Sequence, residues 1–70
     1  MNFSEALDAL KAGDRIHATR WPDETYIAMQ VPDENSKMNV PYLYLHTQNK
    51  NMPWTPIYND LFTDEWAVVE

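Results

Sequence analysis

Pro41-Tyr42-Leu43-Tyr44-Leu45-His46-Thr47 alternates without a break, two leucines falling on one side and two tyrosines on the other. A strand turns successive side chains to opposite faces, so this run predicts a sheet that is aliphatic on one face and aromatic on the other. The aliphatic face needs a cover, and the N-terminal stretch supplies one. Asn2 followed by Glu5 is the spacing of a reciprocal cap on free backbone N–H groups. Phe3, Leu7 and Leu10 then recur at i, i+4 and i+7, with Ala6 on the same stripe. Lys11 suits the negative end of the helix dipole, and Gly13, the only glycine, suits the left-handed closing position. The result is an amphipathic helix over about residues 3–12, too short to persist alone. It must lie on something.

Outward from the central strand, Arg15 to Thr19 alternates and ends at Trp21-Pro22-Asp23-Glu24, a turn signal. Thr25 to Val31 is a further strand run, with Ile27, Met29 and Val31 on one face. Pro32-Asp33-Glu34-Asn35-Ser36-Lys37 is polar and turn-rich, the best candidate for a mobile loop. Gln48 to Asn51 is expected to turn the chain back antiparallel to the central strand. Met52-Pro53-Trp54-Thr55-Pro56 is then extended, because its two prolines forbid helix and confine it to an edge. Asn59-Asp60-Leu61-Phe62 reads as a helical turn and Trp66 to Val69 as a closing strand. The expected fold is α+β: one short N-terminal helix on an antiparallel sheet of four or five strands, a single domain over residues 1–70.

Composition narrows the function. The chain has 70 residues and a formal charge of −6. Its apolar share of 44% argues against wholesale disorder. Eleven acidic residues against five basic ones oppose general binding to duplex nucleic acid, whose affinity comes mainly from Lys and Arg on phosphates. The absence of cysteine excludes a disulfide framework, a thiolate nucleophile and a cysteine metal site. There is no apolar run of about 20 residues and no signal-peptide pattern at the start, so the expectation is a cytoplasmic protein without membrane contact.

Catalytic groupings are sparse. His17 and His46 lack a second histidine at metal-ligand spacing; either suits a general base, but a surface strand histidine is the plainer reading. The acid pairs Asp23-Glu24, Asp33-Glu34 and Asp64-Glu65 fall in expected turns, where carboxylates are ordinarily solvated. One glycine cannot build a phosphate-cradling loop. The reading is a protein that is not an enzyme and needs no cofactor or metal. Three Trp, four Tyr and two Phe carry more weight. Trp21 beside Arg20, and Trp54 between Pro53 and Pro56, are indoles at the ends of extended segments. Such rings stack on bases, each stack contributing roughly 1–3 kcal/mol. Arg20 offers a fork of donors for a phosphate, and Asp60 an acceptor for ribose hydroxyls or an exocyclic amine. The plainer alternative is that the tryptophans build the core, a reading strongest for Trp66 in the final apolar strand.

The opening Met-Asn-Phe-Ser-Glu-Ala-Leu-Asp-Ala-Leu-Lys-Ala-Gly, then Ile16, Trp21 and Tyr26-Ile27-Ala28-Met29, resembles a family of small phage and prophage proteins. The ending Pro53-Trp54-Thr55-Pro56, Asp60-Leu61-Phe62 and Asp64-Glu65-Trp66 shares the likeness, which spans nearly the whole chain. The family is the second class of Thoeris anti-defence proteins. The resemblance implies a sponge that binds a cyclic ADP-ribose isomer made by TIR-domain proteins in the infected bacterial cytoplasm, and does not cleave it. Some relatives also hold cyclic dinucleotides at a separate site. It further implies a homotetramer with pockets built across subunits, and a ligand site including Trp21 and Trp54, with Asp60 as a polar contact. Relatives often carry Arg-x-Gly-Trp where Ala18-Thr19-Arg20-Trp21 stands, and Pro-Ser where Pro56-Ile57 stands. Both departures touch phosphate or ribose recognition.

Two other readings compete. An acidic interaction module would dock on a host protein through an exposed aromatic face. An enzyme would use His46 as a base with a nearby carboxylate on a nucleotide. Self-association is expected on physical grounds as well, because one short helix cannot cover so much aromatic surface and no disulfide or metal staples the fold.

Overall fold

The capping box forms as its spacing requires: Glu5 N–H donates to Asn2 Oδ1 and Asn2 N–H donates to Glu5 Oε1. It opens helix α1 (Phe3–Lys11), and Gly13 with φ of 98° closes it in the left-handed region, where a Cβ would be strained. A computed structural model describes residues 1–32 and 40–69. After α1 come β1 (Ile16–Ala18), β2 (Tyr26–Gln30), β3 (Tyr42–Thr47), β4 (Lys50–Pro53), α2 (Tyr58–Phe62) and β5 (Trp66–Val68). The architecture is the expected α+β pair of layers. Residues 33–37 of the loop anticipated from the sequence lie outside the described residues.

The strands form one sheet in the order β4-β3-β2-β1-β5, each neighbouring pair antiparallel. Four strands follow one another as a meander. The chain then crosses by way of α2 to lay β5 on the free side of β1. Register divides the side chains cleanly. Ile27 opposite Leu45, Met29 opposite Leu43 and Ile16 opposite Ile27 put the aliphatic set under α1. Tyr26 opposite His46, Ala28 opposite Tyr44, Tyr44 opposite Pro53 and His17 opposite Ala67 lie on the other face.

Ala6 and Leu10 of α1, Ile16 and Ala18 of β1, Ile27 of β2 and Trp66 of β5 make the buried core. Phe3, Leu7, Trp21, Met29, Leu43, Leu45 and Trp54 pack around its margin. Trp66 is its largest member and is 1% exposed, so the core reading of that tryptophan is correct.

The turn after β3 is tighter than the sequence suggests. Gln48 and Asn49 alone make it, both left-handed at φ of 51° and 62°. Two residues of that hand match the right-handed twist of paired strands. They bring β4 in at Lys50, two residues ahead of the expected edge strand. Pro53 ends β4, and Trp54 N–H still reaches Leu43 O at 3.0 Å. The proline-bearing segment is the edge of the sheet, as its missing donors dictate. Among the described residues no helix is long and apolar enough to cross a membrane.

Candidate functional site

Three of the four residues singled out from the sequence, Trp21, Trp54 and Asp60, meet at one neighbour, Trp66, and Arg20 pairs with the residue before it. The Trp66 ring is held by its indole N–H, which donates to Asp60 O at 2.9 Å. A buried indole donor left without an acceptor would be costly, so this bond ties α2 to the start of β5. Trp21 stands on Trp66 edge-to-face, with ring centroids 5.4 Å apart and planes at 87°. Trp54 meets it at 6.0 Å and 84° from another side. Phe3 of α1 completes the group, 5.8 Å from Trp66 and 6.3 Å from Trp54. Edge-to-face packing sets the negative face of one ring against the positive edge of the next.

Local backbone fixes these positions. Trp21 N–H bonds Ala18 O at 2.9 Å, which curls the chain off β1 and swings the indole back over β5. Trp54 continues the alternation of β4, two residues beyond Met52, and so projects to the side covered by α1. Trp21 and Trp54 are both half-buried: each gives part of its ring to Trp66 and keeps part in solvent.

Arg20 and Asp60 have partners of their own. Arg20 Nη1 donates to Glu65 Oε2 at 2.6 Å, an ion pair in which both side chains are about half exposed. It straps the β1–β2 turn to the residue before β5. Asp60 accepts from Ile57 N–H through Oδ2 at 2.9 Å, satisfying a free donor at the start of α2. Arg20 thus comes to a phosphate already paired with a carboxylate, and Asp60 comes to a ribose with one oxygen engaged. The sequence reading missed Phe3 and Glu65 as parts of this cluster. The helix stripe marks Phe3 as core-facing, whereas nothing local pairs Arg20 with Glu65.

Two recesses lie away from the indoles. One, of about 400 Å³, is nearly all apolar and is lined by Leu7, Lys11, Met29, Pro41, Tyr42 and Leu43 at the far end of α1. The other, of about 200 Å³, is lined by Gln30, Tyr42, Tyr44, Asn51, Met52 and Pro53 on the open face of the sheet. On that face His46 stacks on Tyr26, with centroids 4.9 Å apart, and its Nδ1 lies within hydrogen-bond distance of Asn51 Oδ1. Arg15 sits over the other side of Tyr26 at 4.8 Å. His17 shares the face but is not the plain surface histidine expected: its Nδ1 is buried and lacks a hydrogen-bond partner among the described residues. Among the described residues no group of three or more His, Asp or Glu is placed to hold a metal ion.

The family model of the Thoeris anti-defense 2-like domain matches residues 1–69. No curated protein matches the chain.

Proposed function

The chain belongs to the Thoeris anti-defense 2-like family, and we propose from that premise that it disarms the defence by capturing its cyclic nucleotide signal. An anti-defence role directed at Thoeris follows from the family itself. The finer reading is that a cyclic ADP-ribose isomer, or a cyclic dinucleotide, is bound in the host cytoplasm by an oligomer of this chain and released chemically unchanged. Capture requires shape, stacking and a few donors, with no bond broken.

The observation that carries the reading is the pair of partly buried indoles braced on Trp66 at the margin of the core. A ring held rigidly from behind loses little further freedom when a base stacks on its open part. Arg20, strapped to Glu65 beside them, supports recognition of a phosphate at the same end of the sheet. The two indoles alone do not enclose a ligand, which fits pockets completed by a second subunit.

Calorimetric titration with cyclic ADP-ribose isomers and cyclic dinucleotides tests the reading. Saturable uptake is expected, with the ligand recovered intact after long incubation. Loss of one indole stack should weaken capture by roughly 5- to 150-fold, the equivalent of about 1–3 kcal/mol. Trp54→Ala also removes contacts with Phe3 and Trp66, so Trp54→Phe is the companion variant that keeps a ring in place. Failure to bind any of these ligands at tens of micromolar rejects the proposal. Docking on a host protein would instead show as a stoichiometric protein partner in a pull-down.

A further inference from the structure

We infer that the apolar recess at the C-terminal end of α1 is a binding site for a small molecule with an aliphatic body and one carboxylate, the carboxylate held at the mouth by the Lys11 ammonium. The site is separate from the indoles around Trp66. It goes beyond nucleotide capture and does not depend on it.

The recess exists because the sheet is wider than its cover. A helix with its side chains is about 10 Å across and strands lie about 4.8 Å apart, so α1 can roof only part of a five-stranded sheet. It packs on β5, β1 and β2, and among the described residues it makes no close approach to β3 or β4. The aliphatic side of β3 is therefore left beside the helix rather than beneath it. At the N-terminal end of α1 this margin is filled, since Trp54 stands 6.3 Å from Phe3. Toward the C-terminal end it stays open. There Leu7 and Lys11, one helical turn apart, face Met29, Pro41, Tyr42 and Leu43 across a recess of about 400 Å³.

The walls decide what kind of molecule fits. Leu7, Met29 and Leu43 are partly buried and pack against the core, and Met29 and Leu43 are cross-strand partners. The fold thus sets these surfaces in advance, and a ligand need not order them. A volume of about 400 Å³ is within the range of small-molecule pockets. An extended peptide is a poor occupant. β3 lies inside the sheet between β2 and β4, so its backbone donors and acceptors are taken up in the ladders and it offers no free edge. The occupant must contribute mainly hydrocarbon.

Lys11 selects the remaining group. It is the one charged residue lining the recess, it is exposed, and among the described residues its ammonium pairs with no carboxylate. Its alkyl stem can lie along apolar surface while the charge stays in water. A carboxylate at the mouth keeps much of its hydration and gains an ion pair, whereas an ammonium there meets a like charge. In physiological salt, charges farther apart than about 8 Å are largely screened. Lys11 at the recess therefore counts for more than the formal charge of −6 spread over the chain.

Calorimetric titration of the native chain with octanoate, octanol and octylammonium tests the site. Octanoate is expected to bind saturably, one per chain, and about fourfold more tightly for each methylene it has beyond hexanoate. Octanol should bind roughly two- to fivefold more weakly, the worth of one exposed ion pair, and octylammonium more weakly still. Leu7→Trp fills the recess and should weaken octanoate by about tenfold or more, with circular dichroism establishing that the variant is folded. Lys11→Gln changes an exposed residue and should bring octanoate to the level of octanol while leaving octanol unchanged. It decides the matter where Leu7→Trp does not fold. No saturable uptake of octanoate at millimolar concentration overturns the inference. So does uptake indifferent to both variants, or octylammonium binding as tightly as octanoate. Uptake seen only on dilution to the monomer also overturns it, since a second copy then fills the recess. Octanoate carries neither base nor phosphate, so its failure to bind and the failure of nucleotide capture are distinguishable.

Discussion

Trp66 is the residue on which stability and the candidate site both depend. It touches Trp21, Trp54 and Phe3, and its N–H closes on Asp60 O. Trp66→Ala should cost about 3–5 kcal/mol, the range for emptying a tryptophan site. That is much of the total for so small a domain, and urea unfolding measures it. Arg20 contrasts with it. Its pair with Glu65 is half exposed, so Arg20→Gln should change stability by no more than about 1 kcal/mol, fading with added salt. A thermal melt at low and high ionic strength checks this. Any larger loss of nucleotide capture in Arg20→Gln then belongs to binding.

Among the elements, the β3–β4 hairpin departs most from its sequence signal. The expected turn covers Gln48 to Asn51, whereas the observed one is Gln48 and Asn49 alone, with both residues left-handed. Asparagine tolerates that region, but glutamine has no special aptitude for it. Without glycine the sequence lacks the usual mark of a two-residue hairpin. The strain makes a prediction. Gln48→Asn with Asn49→Gly should stabilise the domain by about 0.5–1 kcal/mol, read as a higher thermal midpoint, because the native backbone then suits its residues. The first helix gives the opposite lesson. The capping box, the apolar stripe and Gly13 each point to the same bounds, and α1 ends at Lys11, within a residue of the expected limit.

On the scale of the whole molecule, one face of the sheet is covered by a nine-residue helix, and among the described residues no helix packs on the other. If the proposed oligomer forms, its thermal midpoint should rise with chain concentration, since mass action favours the folded oligomer. A midpoint independent of concentration would count against it. The sequence alone determined the elements, the two-sided chemistry of the central strand and the edge position of the proline segment. Periodicity and missing donors are local properties, fixed by residues a few positions apart. It also indicated Trp21 and Trp54, whose likeness to the family lies in short motifs. Only the tertiary structure decided that β5 pairs with β1 and carries Trp66 between those two indoles. Only it set Glu65 against Arg20 and left His17 Nδ1 buried without a partner among the described residues. Those contacts join residues dozens of positions apart, and the return of β5 across the sheet, which no local pattern encodes, is what brings them together.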